Sequence, residues 1–298
     1  MKTLVFGSCN LDYIYRVPRI VSPGETVGVD AVRVSPGGKG LNQAIALKKA
    51  GLNVYFAGKC GADGALLRST AEQNGVDITF FKTAEGPSGQ AHIQVTRTGE
   101  NAILLYRGAN YEITRDMIDD TLSQFGAGDL LVLQNEVSEL DYMIRAGYRR
   151  GMRVVLNPSP IDEKMRDIDY SRVWLVFINE VELAGLAAGR ATDAFIADMR
   201  RTYPTCRWVI TLGEKGSLYF DRDSSFRQEA VPANAVDTTC AGDTFTGFFT
   251  AALCGGADIP TALLHGAAAA SVTVSRVGAA GVIPTKAEAE AVVRKMTR

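Results

Sequence analysis

Histidine is almost missing from this chain: His92 and His265 are the only two in 298 residues. A histidine-ligated metal centre and a Ser-His-Asp hydrolase are both poorly supported on that count. His265 sits in an Ala-rich stretch with no evident partner and reads as a packed helix residue. Neither sign of charge is in excess, since 32 basic residues face 33 acidic ones for a net charge of −1. That balance argues against a nucleic-acid surface or a basic membrane-binding face. Long apolar runs are also absent. The longest uncharged stretch, Ile259 to Ser275, carries Pro260 and His265 and falls short of the roughly 20 apolar residues of a spanning helix. The chain opens Met1-Lys2-Thr3-Leu4-Val5-Phe6-Gly7 and reaches Asp12 too soon for a signal-peptide core. Its five cysteines (Cys9, Cys60, Cys206, Cys240, Cys254) are widely spaced and form no CxxC pair, so a reduced, cytoplasmic protein is expected. Two familiar phosphate motifs are missing as well. Gly38-Lys39 runs into Gly40 and Gly58-Lys59 into Cys60, which leaves no G-x-x-x-x-G-K-S/T, and Gly7-Ser8-Cys9-Asn10 is not a dinucleotide G-x-G-x-x-G.

What the chain does have is glycine. Its 30 glycines are about 10% of the sequence, against a usual ~7%. They gather at Gly37-Gly38-Lys39-Gly40, Gly213 with Gly216, Gly242, Gly255-Gly256 and Gly278 with Gly281. Glycine suits places where backbone turns tightly or comes close to a ligand. A hydrophobic content of 46% with mean hydropathy +0.02 excludes a disordered chain, and the length is ample for a sizeable core.

Short apolar runs at Leu4–Phe6, Val54–Ala57, Leu130–Leu133, Val154–Leu156, Leu175–Ile178 and Trp208–Thr211 suit strands buried on both faces of a parallel sheet. Helical stretches lie between them at Leu41–Ala50, Leu66–Gln73, Arg115–Gln124, Ser138–Arg150 and Asp193–Thr202. This alternation predicts one α/β domain over residues 1–298: a three-layer, open, mostly parallel sheet with helices on both faces. Residues 12–36 and 90–107 break the pattern, because their strands have no helix between them, and Arg97-Thr98-Gly99-Glu100-Asn101 is a hairpin signal. They predict a small antiparallel β-lid, too short to bury a core alone, that covers a cleft or pairs with another subunit.

Two segments carry chemistry. Asp237-Thr238-Thr239-Cys240-Ala241-Gly242-Asp243-Thr244-Phe245-Thr246-Gly247 leads a polar turn into an apolar helix, Phe245 to Leu253. Small residues at a helix start leave N–H groups open to an anion. Asp243 there is either a plain cap or a base beside a bound phosphate. In Pro36-Gly37-Gly38-Lys39-Gly40-Leu41-Asn42-Gln43-Ala44, three glycines wrap a lysine ahead of a helix. That arrangement suits a polyhydroxylated ligand or a flexible loop with a solvated lysine.

In order and spacing, Gly37–Gly51 and Asp237–Phe249 resemble the two signature segments of the ribokinase-type (PfkB) carbohydrate kinases. Further matches run along essentially the whole chain: Gly7-Ser8-Cys9-Asn10-Leu11-Asp12, Pro23-Gly24-Glu25-Thr26, Gln134-Asn135-Glu136, Asn157-Pro158-Ser159-Pro160, Asn179-Glu180-Val181-Glu182 and Thr211-Leu212-Gly213-Glu214-Lys215-Gly216. The resemblance implies a ribokinase-like fold with a lid that closes over a sugar and pairs in a homodimer. It also implies ATP-dependent phosphorylation of a sugar hydroxyl, with D-ribose giving D-ribose 5-phosphate as the leading expectation. The alternatives are 2-deoxyribose, fructose or a nucleoside as acceptor, and a sugar-binding regulator without catalysis.

The resemblance assigns roles residue by residue. Asp243 is the base, and the N–H groups of Ala241, Gly242 and Asp243 form the anion hole for the transferring phosphate. Asn10, Asp12, Gly38, Lys39, Gly40, Asn42 and Glu136, with Asp243, hold the sugar. Asn179, Thr211, Gly213, Glu214, Lys215, Gly216 and Gly242 lie along the nucleotide. Glu182 orders Mg²⁺ through water. Asp237, Thr239, Thr273, Arg276 and Gly278 occupy the positions of a K⁺ site. Cys240 stands where the family usually has Gly or Ala; a thiol at a helix start can have a lowered pKa, so oxidation there would block ATP, unless the residue is simply small and inert. Val282 and Ala267 also depart from the polar residues common at their positions.

Overall fold

The computed structural model describes residues 1–297. In chain order, β1 (Thr3–Phe6) leads into β2 (Asn10–Arg16), β3 (Ala31–Gly37), α1 (Lys39–Lys49), β4 (Val54–Cys60), α2 (Ala65–Gln73) and β5 (Asp77–Thr83). The hairpin β6 (Gly89–Val95) and β7 (Asn101–Tyr106) follows, then α3 (Arg115–Leu122), β8 (Leu130–Gln134), α4 (Leu140–Arg149) and β9 (Arg153–Asn157). The chain continues with β10 (Leu175–Asn179), α5 (Glu180–Ala187), α6 (Thr192–Thr202) and β11 (Arg207–Thr211). It closes with β12 (Ser217–Phe220), β13 (Ser225–Gln228), α7 (Ala241–Cys254), α8 (Ile259–Val274) and α9 (Lys286–Met296).

The large sheet has nine strands in the order β13-β12-β11-β10-β9-β8-β1-β4-β5. All its pairs are parallel from β11 to β5, and only the two pairs at one edge, β11–β12 and β12–β13, are antiparallel. The parallel strands at the centre are continuous apolar runs because both faces are covered. Every residue of β1 and of β8 is buried. One face packs on Leu41 and Ile45 of α1, Phe245 and Phe249 of α7 and Leu263 of α8. The other packs on Ile118 of α3, Met143 and Ile144 of α4, Leu183 of α5 and Phe195 of α6. This is the three-layer arrangement that the alternating pattern predicts.

The small sheet has the order β3-β2-β6-β7. Its two outer pairs are antiparallel, as expected of hairpins, but the central β2–β6 pair is parallel. The reason is topological: β2 follows β1 and β6 follows β5, two strands with the same direction in the large sheet. The 97–101 turn is where the pattern places it, with Gly99 at φ 88° and the Thr96 amide donating to Glu100 O at 3.0 Å.

One packing detail positions the chemistry. A Cβ on Gly247 would lie 2.5 Å from the Cβ of Ala46, so only glycine lets α7 lie this close to α1. One turn earlier on each helix stand Asp243 and the pair Asn42 and Gln43, which are thereby brought into contact.

Candidate active site

A cleft of about 210 Å³ opens where the ends of β9, β10 and β11 meet the start of α7. Its lining includes Asn157, Asn179 and Thr211 from the strand ends, Lys39 from α1, Glu182 from α5, and Gly242, Asp243 and Thr246 from α7. The carboxyl ends of parallel strands are the usual ligand side of an open α/β sheet.

Helix α7 starts at Ala241, four residues before the apolar run, so Gly242 and Asp243 stand in its first turn. Cys240 precedes it in the left-handed region, at φ 67°. The Ala241 amide donates to Thr238 O at 3.3 Å, which takes up one of the three amides expected to be free. Those of Gly242 and Asp243 have no acceptor among the described residues and remain open to an anion. A Cβ on Gly242 would meet nothing within 4 Å. Its lack of a side chain leaves space that the fold itself does not need.

Asp243 is buried, and each carboxylate oxygen accepts one side-chain amide: Oδ1 from Gln43 at 2.9 Å and Oδ2 from Asn42 at 3.2 Å. Burial pushes its pKa above the usual carboxylate value and Glu136 adds to this, while Lys39 and the two amides oppose them. Lys39 presents the mirror image. Burial works against its charge, but Asp243, Glu136 and Glu182 around it outweigh that and hold its pKa above the usual lysine value. No carboxylate lies within ion-pair distance of its ammonium among the described residues.

The expected sugar-side residues converge next to Asp243. Asn10 and Asp12 come from β2, Gly38 and Gly40 from the entry to α1, and Glu136 from the end of β8. A Cβ on Gly37 would lie 2.0 Å from Oδ2 of Asp12, and one on Gly40 would lie 2.5 Å from the Ser8 amide. Glycine at 37 makes room for a carboxylate, and at 40 it lets α1 rest on the turn after β1. Half-buried Asp12 is pushed up to about 7, first by desolvation and then by Glu136. Glu136 accepts Ser8 Oγ at 2.5 Å and the Lys39 amide at 3.3 Å on one oxygen. Asn10 Oδ1 accepts from Asn110 Nδ2 at 2.8 Å. The buried Oδ1 of Asn42 has no partner, so a hydroxyl donor would complete it.

The nucleotide side divides. Asn179, Thr211 and Gly242 line the cleft. Gly213, Glu214 and Lys215 form a turn just beyond β11, with Lys215 paired to Glu180 at 3.0 Å. Gly216 has a structural duty, since its φ is 86° and a Cβ would lie 2.0 Å from Gln228 O. Glu182 and Asn179 form a reciprocal capping box for α5, with the Glu182 amide donating to Asn179 Oδ1 at 2.8 Å and the Asn179 amide to Glu182 Oε2 at 2.9 Å. Glu182 Oε1 has no hydrogen-bond partner among the described residues. Of the expected cation set, Asp237 takes the Thr239 amide at 2.9 Å and the Gly278 amide at 3.0 Å. Burial of Asp237 acts upward, yet these bonds and nearby Arg33 hold its pKa below the usual value. Thr273 uses its hydroxyl on Thr244 at 3.1 Å and Ala269 O at 3.2 Å, and the Arg276 side chain is turned to Glu288 at 2.6 Å.

Of the two readings of Cys240, the geometry favours the inert small residue. Its thiol pKa is raised well above the ordinary value, by burial and then by Asp243, so the helix start does not activate it. Four polar residues without an expected role also belong to the site: Ser8, Gln134 and Asn157, which lie within the matched segments, and Asn110, which lies outside them. Gln43 was visible in the first turn of the helix but carried no role. For Gln134 and Asn157, an amide closing an otherwise apolar strand was the available signal.

Comparison with known proteins fits this geometry. Residues 2–286 match the pfkB family carbohydrate kinase pattern. The chain belongs to the pfkB carbohydrate kinases. This kinase is 33% identical over 297 residues to a ribokinase of Haemophilus influenzae, covering 96% of this chain and 97% of that one. It is 31% identical over 298 residues to a deoxyribokinase of Salmonella typhimurium, with 96% of both covered. Among solved structures, the ribokinase of Cryptococcus neoformans var. grubii in complex with ADP matches it with a TM-score of 0.86 and 31% identity over 99% of both chains. No described helix of this pfkB kinase is long and apolar enough to cross a membrane.

Proposed function

We propose that this carbohydrate kinase is a ribokinase, transferring the γ-phosphoryl group of ATP to D-ribose to give D-ribose 5-phosphate. The observation that carries the reading is the buried carboxylate of Asp243. It lies between two free helix-start amides and a cluster of carboxylates and amides suited to a diol-rich sugar. In the proposed step, the sugar hydroxyl oxygen bonds to the γ-phosphorus as the bridge to the β-phosphate breaks. The hydroxyl proton passes to Asp243 and ADP leaves. A carboxylate held above its usual pKa is a better match for that proton than an exposed one. The Gly242 and Asp243 amides and Lys39 hold the charge of the transferring group, where positioning and electrostatics carry most of the catalysis. Asn10, Asp12, Asn42 and Glu136 orient the sugar.

Mg²⁺ fits the residues present. Among the described residues no three His, Cys, Asp or Glu side chains cluster as a protein-only metal cage, while Glu182 keeps one free carboxylate oxygen beside the cleft. Mg²⁺ commonly keeps its waters and takes one or two carboxylates, so Glu182 would hold it through water, and the ion would neutralise phosphate charge. K⁺ would sit at Asp237, whose carboxylate has lone pairs beyond the two that take amides. The small sheet is read as a lid that also pairs with a second copy of the chain. Val32, Val34, Ile103, Leu104, Leu105 and Tyr106 are exposed on it, Leu104 by 71%. The five free cysteines support a reducing, cytoplasmic setting.

The deoxyribokinase likeness keeps 2-deoxyribose as a second reading. ADP release measured with D-ribose, 2-deoxy-D-ribose, D-fructose and nucleosides, with ³¹P NMR of the product, separates the readings. Ribose as the best substrate, phosphorylated at the 5-position, supports the proposal; preference for another acceptor overturns it.

A further inference from the structure

Three side-chain amides, two of them fully buried and that of Asn157 half-buried at the cleft wall, are linked behind Asp243, and their direction is fixed by the carboxylate. A carboxylate only accepts, so Gln43 must turn Nε2 toward Asp243 Oδ1, at 2.9 Å. Its Oε1 then faces the other way and accepts Nε2 of Gln134 at 2.7 Å. The second hydrogen of Gln43 Nε2 is directed at Asn157 Oδ1, 3.2 Å away, and Asn157 Nδ2 is anchored on Phe177 O at 2.9 Å. Gln43 and Gln134 are fully buried. The chain ends on Gln134 Oε1, which is buried without any partner. An orphaned buried carbonyl costs stability. The sequence therefore tolerates a defect at the far end in order to present N–H groups at the near end, which an apolar core would not do. A Cβ on Gly7 would lie 2.2 Å from Gln134 Oε1, so the bare Cα there is what admits this amide.

We propose that Gln43, oriented by Gln134 and Asn157, is a positioning residue that fixes the Asp243 carboxylate in one rotamer and favours its charged, proton-accepting form. The inference rests on Asp243 being the base. Asn42 holds the other oxygen, so the carboxylate is gripped on both sides by donors from one turn of α1. The charged and titratable groups around Asp243 are Lys39 on α1, Asp12 on β2, Glu136 after β8, Cys240 at the start of α7 and Glu182 across the cleft. None of them changes when Gln43 or Gln134 is replaced.

The test is the pH dependence of kcat for full-length wild type, Gln43→Met and Gln134→Met, with Asp243→Asn as the reference for the base. Met keeps the volume and removes the donors. Gln43→Met is expected to lower kcat about tenfold with sugar KM within about twofold, and to move the acid limb up by about one pH unit. Gln134→Met, which leaves the Gln43 donor but frees its orientation, is expected to move the limb in the same direction by less, and it carries the test if Gln43→Met does not fold. An acid limb at the wild-type position in every folded variant, with losses of activity that only follow losses of thermal stability, overturns the positioning role. Wild-type turnover in Asp243→Asn would instead overturn the base reading on which it rests.

Discussion

Replacing Asp12 by Asn is expected to stabilise the empty protein at pH 8 while weakening its hold on sugar. In the fold the Asp12 carboxyl is pushed from 3.8 to about 7 by desolvation and by Glu136. A carboxyl raised in this way prefers its neutral form in the native state. It costs nothing below about pH 4, where both folded and unfolded chains hold the proton, and costs more as pH rises toward 7. The full shift corresponds to about 4 kcal/mol at about 1.36 kcal/mol per pH unit, and to about 2–4 kcal/mol once water screens a half-buried side chain. Urea unfolding of wild type and Asp12→Asn at pH 4.5 and 8 reads the difference directly. The variant should gain most of that stability at pH 8 and little at pH 4.5, with a KM for sugar raised about tenfold or more by loss of a charged acceptor. Equal stability differences at the two pH values would refute the reasoning, because the destabilisation would then not come from ionising Asp12.

Two glycines should separate folding from catalysis. Gly40→Ala forces a Cβ to within 2.5 Å of the Ser8 amide and should cost about 1–3 kcal/mol in unfolding experiments. Gly242→Ala, with nothing within 4 Å, should leave stability equal or slightly higher yet lower kcat about 10²-fold by filling the phosphate's place. Cys240→Gly should relieve the strain of φ 67° and raise stability by about 1 kcal/mol with activity retained, while wild-type Cys240 reacts slowly with thiol reagents at pH 7. Leu104→Lys on the small sheet should shift a dimer toward monomer in sedimentation; an unchanged mass would remove the lid as the dimer surface.

The large sheet was legible because its central strands are unbroken apolar runs between helices. The 97–101 hairpin announced itself by its turn residues. Strand β5, with its alternation of exposed and half-buried residues, and the antiparallel edge strands β12 and β13 lack that signature and were missed. The amphipathic α9 was missed too, although Thr285 and Glu288 form a capping box that marks its start. In the site, Gly37–Gly40 and Gly242–Asp243 stood out because glycine is costly without a reason to be there. Ser8 and Gln134 fell within matched segments but carried no role, and Asn110 lay outside them, since each becomes informative only when burial shows that it has a polar partner. The parallel β2–β6 pair needed the direction of β1 and β5 in the large sheet, which no local pattern contains. The left-handed turn at Cys240 was likewise invisible, because a cysteine gives no sign of positive φ.

The central claim is that Asp243 removes the proton from a sugar hydroxyl during phosphoryl transfer from ATP. ADP formation by the wild type and by Asp243→Asn, assayed with D-ribose and MgATP, tests it most directly. The account predicts ready turnover by the wild type and a fall of about 10²–10⁴ in kcat for the variant, with ribose binding by calorimetry retained. Binding of ribose without ADP formation by the wild type, or turnover by Asp243→Asn at the wild-type rate, would contradict it.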